Sequence, residues 1–151
     1  VRRLAEEKAV AVAKQQQENA LVLGADTTVV IGREIIGKPL DLDDARQMLR
    51  KLSGNRHEVL TGVALVEVSG LKSQASSFKT VVGLERTVVK FAAMSDAEIE
   101  FLLEKGEPLD KAGAYAVQAQ AALFIEGIEG DYWNVVGLPV NLVYRHADSL
   151  K

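Results

Sequence analysis

The sequence predicts a mixed α/β fold in one domain. Strand patterns and helix patterns alternate along its 151 residues, without an internal repeat. The chain is 48% hydrophobic and 26% charged, which is enough apolar material for one compact core. Two ordinary domains would need a longer chain. We therefore expect a single domain in which helices and strands share one core.

A helix is predicted at the start of the chain. The stretch VRRLAEEKAVAVAKQQQEN has the pattern of a helix already under way at its first residue. Spacings of four, three and one place Leu4, Lys8, Ala11 and Val12 near one inward-facing stripe. A lysine on such a stripe needs either a partner or a route to water. We expect Lys8 to have one or the other.

Two strand patterns flank an acidic residue. The run ALVLGA, residues 20–25, is short and continuously apolar, which is typical of a strand buried on both faces. A second strand pattern, TTVVI, follows at 27–31, and EII follows a turn at GRE. A break at Gly37-Lys38-Pro39 ends this region. Asp26 is therefore expected at the end of a central strand.

Capping patterns predict two further helices. In DLDDARQMLRKLSG, Asp41 is the expected N-cap and Gly54 the expected stop. The inward positions of this helix are Ala45, Met48, Leu49 and Leu52. In SDAEIEFLLEKG, Ser95 and Glu98 form a capping box, and Gly106 ends the helix.

The remaining segments predict strands, a loop and a last helix. Long strands are expected at 57–68 and 78–91, joined by the polar and exposed connection SGLKSQASS. The segment EPLDKAGAYAVQAQ has the small and polar residues of a loop that faces a ligand, and ALFIEGIEG, 122–130, is the strand after it. DYWNVVGLP leads into a final helix with Pro139 near its first turn.

Composition excludes several classes of protein. The net charge of −3 argues against a protein that binds nucleic-acid polymers, although local lysines can still hold an anion. The absence of cysteine excludes disulfides and thiolate zinc sites, and two histidines are too few for a histidine-rich metal site. The composition does not exclude a site that binds Mg²⁺ through oxygen ligands. No stretch reaches the roughly 20 apolar residues of a membrane helix, and no signal peptide is evident, so we expect a cytoplasmic protein without membrane contact.

The order and spacing of several motifs resemble one known family. These motifs are GADTTVV, GKP, DDARQMLRKLSG, HEVLTGVALV, GEPLDKAGAYAVQ and IEGDYWNVVGLPV. Together they resemble the Maf family of nucleoside triphosphate pyrophosphatases, also called septum formation inhibitor proteins, over nearly the whole chain. The resemblance implies a fold related to the inosine triphosphate pyrophosphatases, with a long twisted mixed sheet, flanking helices and a nucleotide cleft. It also implies a homodimer.

The family resemblance implies a reaction and a catalytic carboxylate. Family members hydrolyse a nucleoside triphosphate between its α and β phosphates with a divalent cation, Mg²⁺ or Mn²⁺. Charge builds on the phosphate oxygens, so cationic groups must lie near them and a carboxylate must bind the metal or orient water. Asp26 is the candidate for both roles, catalytic and metal-binding. Its alternative is a strand-end residue that bonds its own turn.

The same resemblance implies a set of substrate-binding residues. Lys8, Lys38 and Lys111 are candidates for phosphate contacts. The alternative for Lys38 is an exposed turn lysine. Thr27 and Tyr115 are further candidates for contact with the substrate, although threonines in strands and half-buried tyrosines often serve packing alone.

Gln118 is the candidate for base recognition. Its amide offers a donor and an acceptor to a pyrimidine edge, and the alternative is that it satisfies backbone groups. AGAY followed by glutamine resembles the branch that acts on dTTP and UTP, and differs from the branch that prefers 7-methylguanosine triphosphate. In QAQAAL, relatives usually carry glycines, so Ala119 and Ala122 add methyl groups beside the expected base pocket.

One family motif is missing from this sequence. Family members open with a strand and a Ser-x-Ser-Pro-Arg-Arg loop that holds the triphosphate, and neither is present before Val1. We expect a Maf-like domain over 1–151 that lacks this strand and loop because the sequence is a fragment. The alternative is a catalytically inactive module of the same fold that binds nucleotides or proteins.

Overall fold

The structure is a computed structural model that describes residues 1–70 and 77–151. In these ranges it has five helices, five strands and three short 3₁₀ turns. The helices are α1 (Arg2–Ala13), α2 (Leu42–Leu52), α3 (Asp96–Lys105), α4 (Tyr132–Val136) and α5 (Val140–Ser149). The strands are β1 (Ala20–Ile31), β2 (Glu34–Ile36), β3 (Arg56–Ser69), β4 (Ser77–Phe91) and β5 (Ile125–Glu129). Residues 71–76 of the expected SGLKSQASS connection lie outside the described residues.

The five strands form one sheet in the order β2-β1-β3-β4-β5. β2 pairs antiparallel with the end of β1, where Val29 is opposite Ile36. β5 pairs antiparallel with β4, with an irregularity between Lys90 and Phe91. The predicted α/β class, a sheet flanked by helices, is confirmed. No helix in the described part of the chain is long and apolar enough to cross a bilayer.

The chain divides into two compact units, each built from separate segments. The first comprises Val1–Thr27, Thr61–Glu85 and Gly137–Lys151, and the second comprises Thr28–Leu60 and Arg86–Val136. Each unit has its own cluster of buried apolar residues. Lys8, Asp26 and Thr27 belong to the first unit, and the other candidate residues belong to the second: Lys38, Lys111, Tyr115 and Gln118.

The first unit has a core of small residues. Ala5, Ala9 and Ala13 of α1 are buried with side chains of β3. The predicted stripe of this helix is wrong, since Leu4 and Val12 are 41% and 47% exposed. The buried face is formed by the three alanines, which are spaced by four residues. Small side chains let a helix approach a sheet more closely than leucines do.

β1 is one continuous strand, which corrects two predictions. Residues 20–25 and 27–31 belong to the same twelve-residue strand, so Asp26 lies near its middle and not at a strand end. The prediction that both faces of this strand are buried is also wrong, because Leu21 and Leu23 are 51% and 42% exposed. Successive side chains of a strand point to opposite faces, and here the face of Leu21 and Leu23 is partly open.

The core of the second unit confirms the predicted helices. Asp41 caps α2 by accepting from the Asp44 backbone amide at 2.8 Å, and Ser95 forms the predicted capping box with Glu98 at the start of α3. Leucines and aromatic residues on α2, α3 and β4 fill the core between these elements; among them are Leu49, Leu52, Phe91, Ile99 and Leu102. These contacts hold the segment between α3 and β5, which carries three of the candidate residues.

The end of the chain differs from the prediction in two places. The strand predicted at 122–130 is shorter, since Gln120–Phe124 forms a 3₁₀ turn before β5. The short helix α4 was not predicted, because five residues are too few for helical periodicity to show. The last helix is confirmed, with Pro139 as its N-cap.

Candidate active site

A close contact between α1 and β1 brings Lys8 to Asp26. Gly24 has no side chain on the face where α1 packs; a Cβ there would lie 2.9 Å from Ala9 Cβ and closer still to the Ala5 carbonyl oxygen. This approach places Lys8 Nζ 2.6 Å from Asp26 Oδ1. The Lys8 side chain is 58% exposed and that of Asp26 18% exposed. Lys8 therefore has both a partner and a route to water, although the inward-facing stripe on which it was predicted is wrong.

The donor set around Asp26 fits one kind of cation site. In the described ranges, no group of three or more histidine, aspartate or glutamate residues is arranged to hold a metal ion. Mg²⁺ is nevertheless commonly bound by one or two carboxylates, substrate phosphates and water. Asp26 is partly accessible and already accepts from a cation, Lys8. As a single carboxylate it suits an ion whose other ligands come from a nucleotide and water.

Thr27 points away from Asp26, to the opposite face of β1. Its hydroxyl lies 2.9 Å from the hydroxyl of Thr61 and donates to the Gly137 carbonyl oxygen at 3.4 Å. Thr61 is fully buried. The Thr27 side chain is thus held within the first unit, and the contact with substrate that the resemblance implies for it stays a prediction.

In the second unit, Lys38 is tied to the loop after α3. Its Nζ donates to Asp110 Oδ1 at 2.7 Å. This bond and the charge of Lys38 hold the pKa of Asp110 below its usual range. The neighbouring Gly37 carbonyl oxygen accepts from the Gly113 amide at 3.0 Å. Two bonds therefore join the Gly37-Lys38-Pro39 turn to residues 107–114.

The loop after α3 carries Lys111 beside that contact. Lys111 Nζ donates to the Glu107 carbonyl oxygen at 3.3 Å. Asp110, its neighbour, was missed by sequence reasoning, although an acid directly before a candidate lysine is a usable signal. Lys38, Asp110 and Lys111 therefore belong to one polar cluster on the surface of the second unit.

Tyr115 is a core residue with a buried hydrogen bond. It is only 7% exposed, and its hydroxyl lies 2.7 Å from Nε2 of His57. Its ring packs edge-on against Phe91 with centroids 5.0 Å apart. Burial raises the pKa of Tyr115 and lowers the pKa of His57 to about 4. The sequence carried no signal for this pairing, because His57 and Tyr115 are 58 positions apart.

Gln118 lies three residues beyond Tyr115 in an exposed turn. The Ala119 amide donates to the Ala116 carbonyl oxygen at 3.1 Å and closes this turn. Val117 is buried and Gln118 is exposed, so the side chain of Gln118 points to solvent. This position is open to a ligand, as a residue that recognises a base requires.

A buried asparagine braces the second unit and was also missed. Asn134 Nδ2 donates to the Val59 carbonyl oxygen at 3.0 Å and to the Thr87 hydroxyl at 2.9 Å. Both Asn134 and Thr87 are fully buried. The asparagine within the apolar run YWNVV was the sequence signal, because buried amides are normally bonded to neighbouring elements.

The structure thus brings together some of the predicted residues. Lys8 pairs with Asp26 in the first unit, and Lys38, Lys111, Tyr115 and Gln118 lie on connected segments of the second. Lysine binds phosphate groups as a point charge, and carboxylates bind the divalent cations that accompany phosphates. Side chains of these types, on an α/β sheet, are compatible with a protein that binds phosphorylated ligands.

Comparison with known proteins identifies the family. Residues 1–150 match the model of the Maf family, described as Maf-like protein. The chain is 51% identical over 142 residues to a dTTP/UTP pyrophosphatase of Hahella chejuensis, covering 93% of this chain and 66% of that protein. The chain is 50% identical to the protein of the same name from Symbiobacterium thermophilum, and the match covers 93% of this chain and 68% of that protein.

A third relative extends the match along the chain. The dTTP/UTP pyrophosphatase of Pelotomaculum thermopropionicum is 49% identical over 148 residues, which is 98% of this chain and 72% of that protein. The chain belongs to the Maf family. It spans about two thirds of the length of the curated relatives that it matches.

Proposed function

We propose that this chain functions as a metal-dependent nucleoside triphosphate pyrophosphatase. Its substrates are dTTP, UTP and related or modified pyrimidine nucleotides, and its products are the nucleoside monophosphate and pyrophosphate. The observation that carries the proposal is the ion pair between Lys8 and the partly exposed Asp26. The names of relatives at about half identity support the same substrates. Removal of surplus or modified nucleotides is the role that we propose in the cell.

Asp26 and Lys8 have complementary roles in the first unit. Asp26 would hold the divalent cation, Mg²⁺ or Mn²⁺, which when bound would supply positive charge to the phosphate oxygens. Asp26 also orients the attacking water, because a carboxylate accepts a proton from water at hydrogen-bond distance. Lys8 exchanges its carboxylate partner for a phosphate oxygen, which places its charge where negative charge develops.

The second unit supplies phosphate and base contacts. Lys38 and Lys111 are paired with a side-chain or backbone oxygen and can exchange it for a phosphate oxygen. Gln118 is exposed and offers both hydrogen-bond types to a pyrimidine. We also propose a homodimer, as the family resemblance implies, and a location in the cytoplasm.

The roles of Asp26 can be tested by a nearly isosteric change. Asp26→Asn in the encoded protein that carries this chain removes the charge but keeps the shape. We expect kcat for dTTP with Mg²⁺ to fall by about 10² to 10⁴, the usual effect of losing a general base. Asp148→Asn is the matched control, because Asp148 is an exposed α5 residue paired only with Lys151 in the described structure.

The outcome separates the enzyme from an inactive module of the same fold. Activity of Asp26→Asn within about threefold of the parent would exclude Asp26 from catalysis. A parent protein that binds dTTP in calorimetry but releases no product would favour the nucleotide-binding module instead. Activity of the parent and the control, with loss in Asp26→Asn, supports the proposal.

A further inference from the structure

A buried hydrogen bond anchors the segment that leads to Gln118. The bond between His57 Nε2 and the Tyr115 hydroxyl is 2.7 Å long, with the two residues 2% and 7% exposed. Burial lowers the pKa of His57 to about 4 and raises the pKa of Tyr115, so both groups are neutral near pH 7. Such a bond inside a core is not weakened by competition with water.

The backbone just before Tyr115 adopts an unfavourable conformation. Gly113 and Ala114 have φ angles of 75° and 62°. Glycine adopts such angles readily, but an alanine keeps them only where surrounding contacts over-determine the backbone. Ala114 is 2% exposed and directly precedes the anchored Tyr115. The bond to His57, together with the contact between Tyr115 and Phe91, supplies such contacts.

The anchored segment connects two candidate substrate contacts of the second unit. On its N-terminal side, the Gly113 amide donates to the Gly37 carbonyl oxygen beside Lys38. On its C-terminal side, Gln118 lies only three residues beyond Tyr115. A shift of the Tyr115 backbone would therefore displace Gln118 and loosen the Lys38 turn.

We propose that His57, through Tyr115, is a positioning residue that sets the base selectivity of the enzyme. It contacts neither substrate nor metal in this scheme, and it acts by holding residues 113–118 in the conformation that presents Gln118. This inference rests on the proposed function. The rival explanation is that the bond stabilises the core and has no effect on selectivity.

A pair of variants separates positioning from stability. Tyr115→Phe removes one hydroxyl and leaves His57 without a bond, since its Nδ1 has no partner among the described residues. The double variant His57→Leu with Tyr115→Phe replaces both polar partners by apolar groups, which relieves the buried unpaired nitrogen. We expect a lower Tm in the single variant and recovery in the double variant.

Base selectivity should not recover with the Tm. We expect the ratio of kcat/KM for UTP to that for GTP to fall about tenfold in both variants, as for loss of one well-placed hydrogen bond. His57→Gln, which keeps a polar partner for Tyr115, should retain more of the parental ratio than His57→Leu. Tyr144→Phe is the control, because Tyr144 is 66% exposed on α5.

Two results would overturn the proposal. One is a parental UTP-to-GTP ratio in a double variant whose Tm has recovered, which would mean that the bond is only structural. The other is unchanged hydrogen exchange at residues 113–118. It can be measured even if the parent hydrolyses no nucleotide, a result that would contradict the proposed function and leave the anchoring still testable. Hydrogen exchange at residues 113–118 should still be faster in the double variant than in the parent at equal Tm, and unchanged exchange would contradict the anchoring.

Discussion

Gln118 is an exposed amide at the end of an anchored segment. If it reads a pyrimidine, its N–H donates to a base carbonyl while its own carbonyl accepts from the ring N–H. A carboxylate at this position would keep the acceptor and lose the donor. A substitution at Gln118 therefore tests base recognition by changing one hydrogen-bonding group.

We expect Gln118→Glu to shift selectivity from pyrimidine towards guanine. Repulsion between the carboxylate and a base carbonyl should cost about 1 to 3 kcal/mol, whereas guanine presents N–H donors. The measurement is kcat/KM for UTP against GTP, with an expected shift of about tenfold or more. An equal loss for both nucleotides would show that Gln118 supports the loop without reading the base.

The ion pair of Lys8 and Asp26 is easily exchanged. With the Lys8 side chain more than half exposed, its attraction to Asp26 is screened by water and contributes little stability. The pair can therefore open for a phosphate at small cost. An ion pair that is weak in the free protein suits a lysine whose function is to bind a ligand.

At the scale of elements, α1 is positioned by Gly24. The helix buries its alanine face against the strand that carries Asp26, and a side chain at Gly24 would collide with Ala5 and Ala9. This contact determines where Lys8 lies relative to Asp26. The geometry of the ion pair thus depends on a glycine two positions away from the carboxylate.

We expect Gly24→Ala to destabilise the protein and to lower activity. Overpacking at such a contact typically costs about 1 to 3 kcal/mol. Gly127→Ala in β5 is the matched control, because a Cβ at Gly127 meets no atom within 4 Å. Urea unfolding measures both variants. Equal stability of Gly24→Ala and the parent would show that α1 does not depend on this close approach.

Local sequence signals predicted some elements better than others. The caps of α2 and α3 act within a few residues, so Asp41 and Ser95 could be assigned from sequence. The buried face of α1 could not be assigned from sequence. Leucine is more hydrophobic than alanine and so dominates a hydrophobic pattern, but the close contact between helix and sheet requires alanines. Asp26 was predicted at a strand end because it separates two apolar runs, 20–25 and 27–31, which belong to one continuous strand.

The side chains of the candidate site were predicted, but their partners were not. Asp110 is 72 positions from Lys38, and Thr61 is 34 positions from Thr27. His57 is 58 positions from Tyr115. Such pairs are formed by the folding of the sheet, and neither periodicity nor spacing within one sequence encodes them.

For the whole molecule, the charge pattern favours multivalent anions. The net charge is −3, and Lys8 and Lys38 each have a carboxylate partner. Both lysine side chains are more than half exposed, so a phosphate can compete with the carboxylate for either lysine. A triphosphate carries several charges and presents several oxygens, so it can compete where a single anion cannot. We therefore expect nucleoside triphosphates to bind more tightly than monophosphates.

Product analysis with dTTP tests the central claim most directly. The encoded protein is incubated with dTTP and Mg²⁺, and its products are separated by ion-exchange chromatography. Hydrolysis between the α and β phosphates predicts equal amounts of dTMP and pyrophosphate, both formed about 10² to 10⁴ times more slowly by the Asp26→Asn variant. Release of dTDP and inorganic phosphate, or equal turnover in the Asp26→Asn variant, would contradict the account.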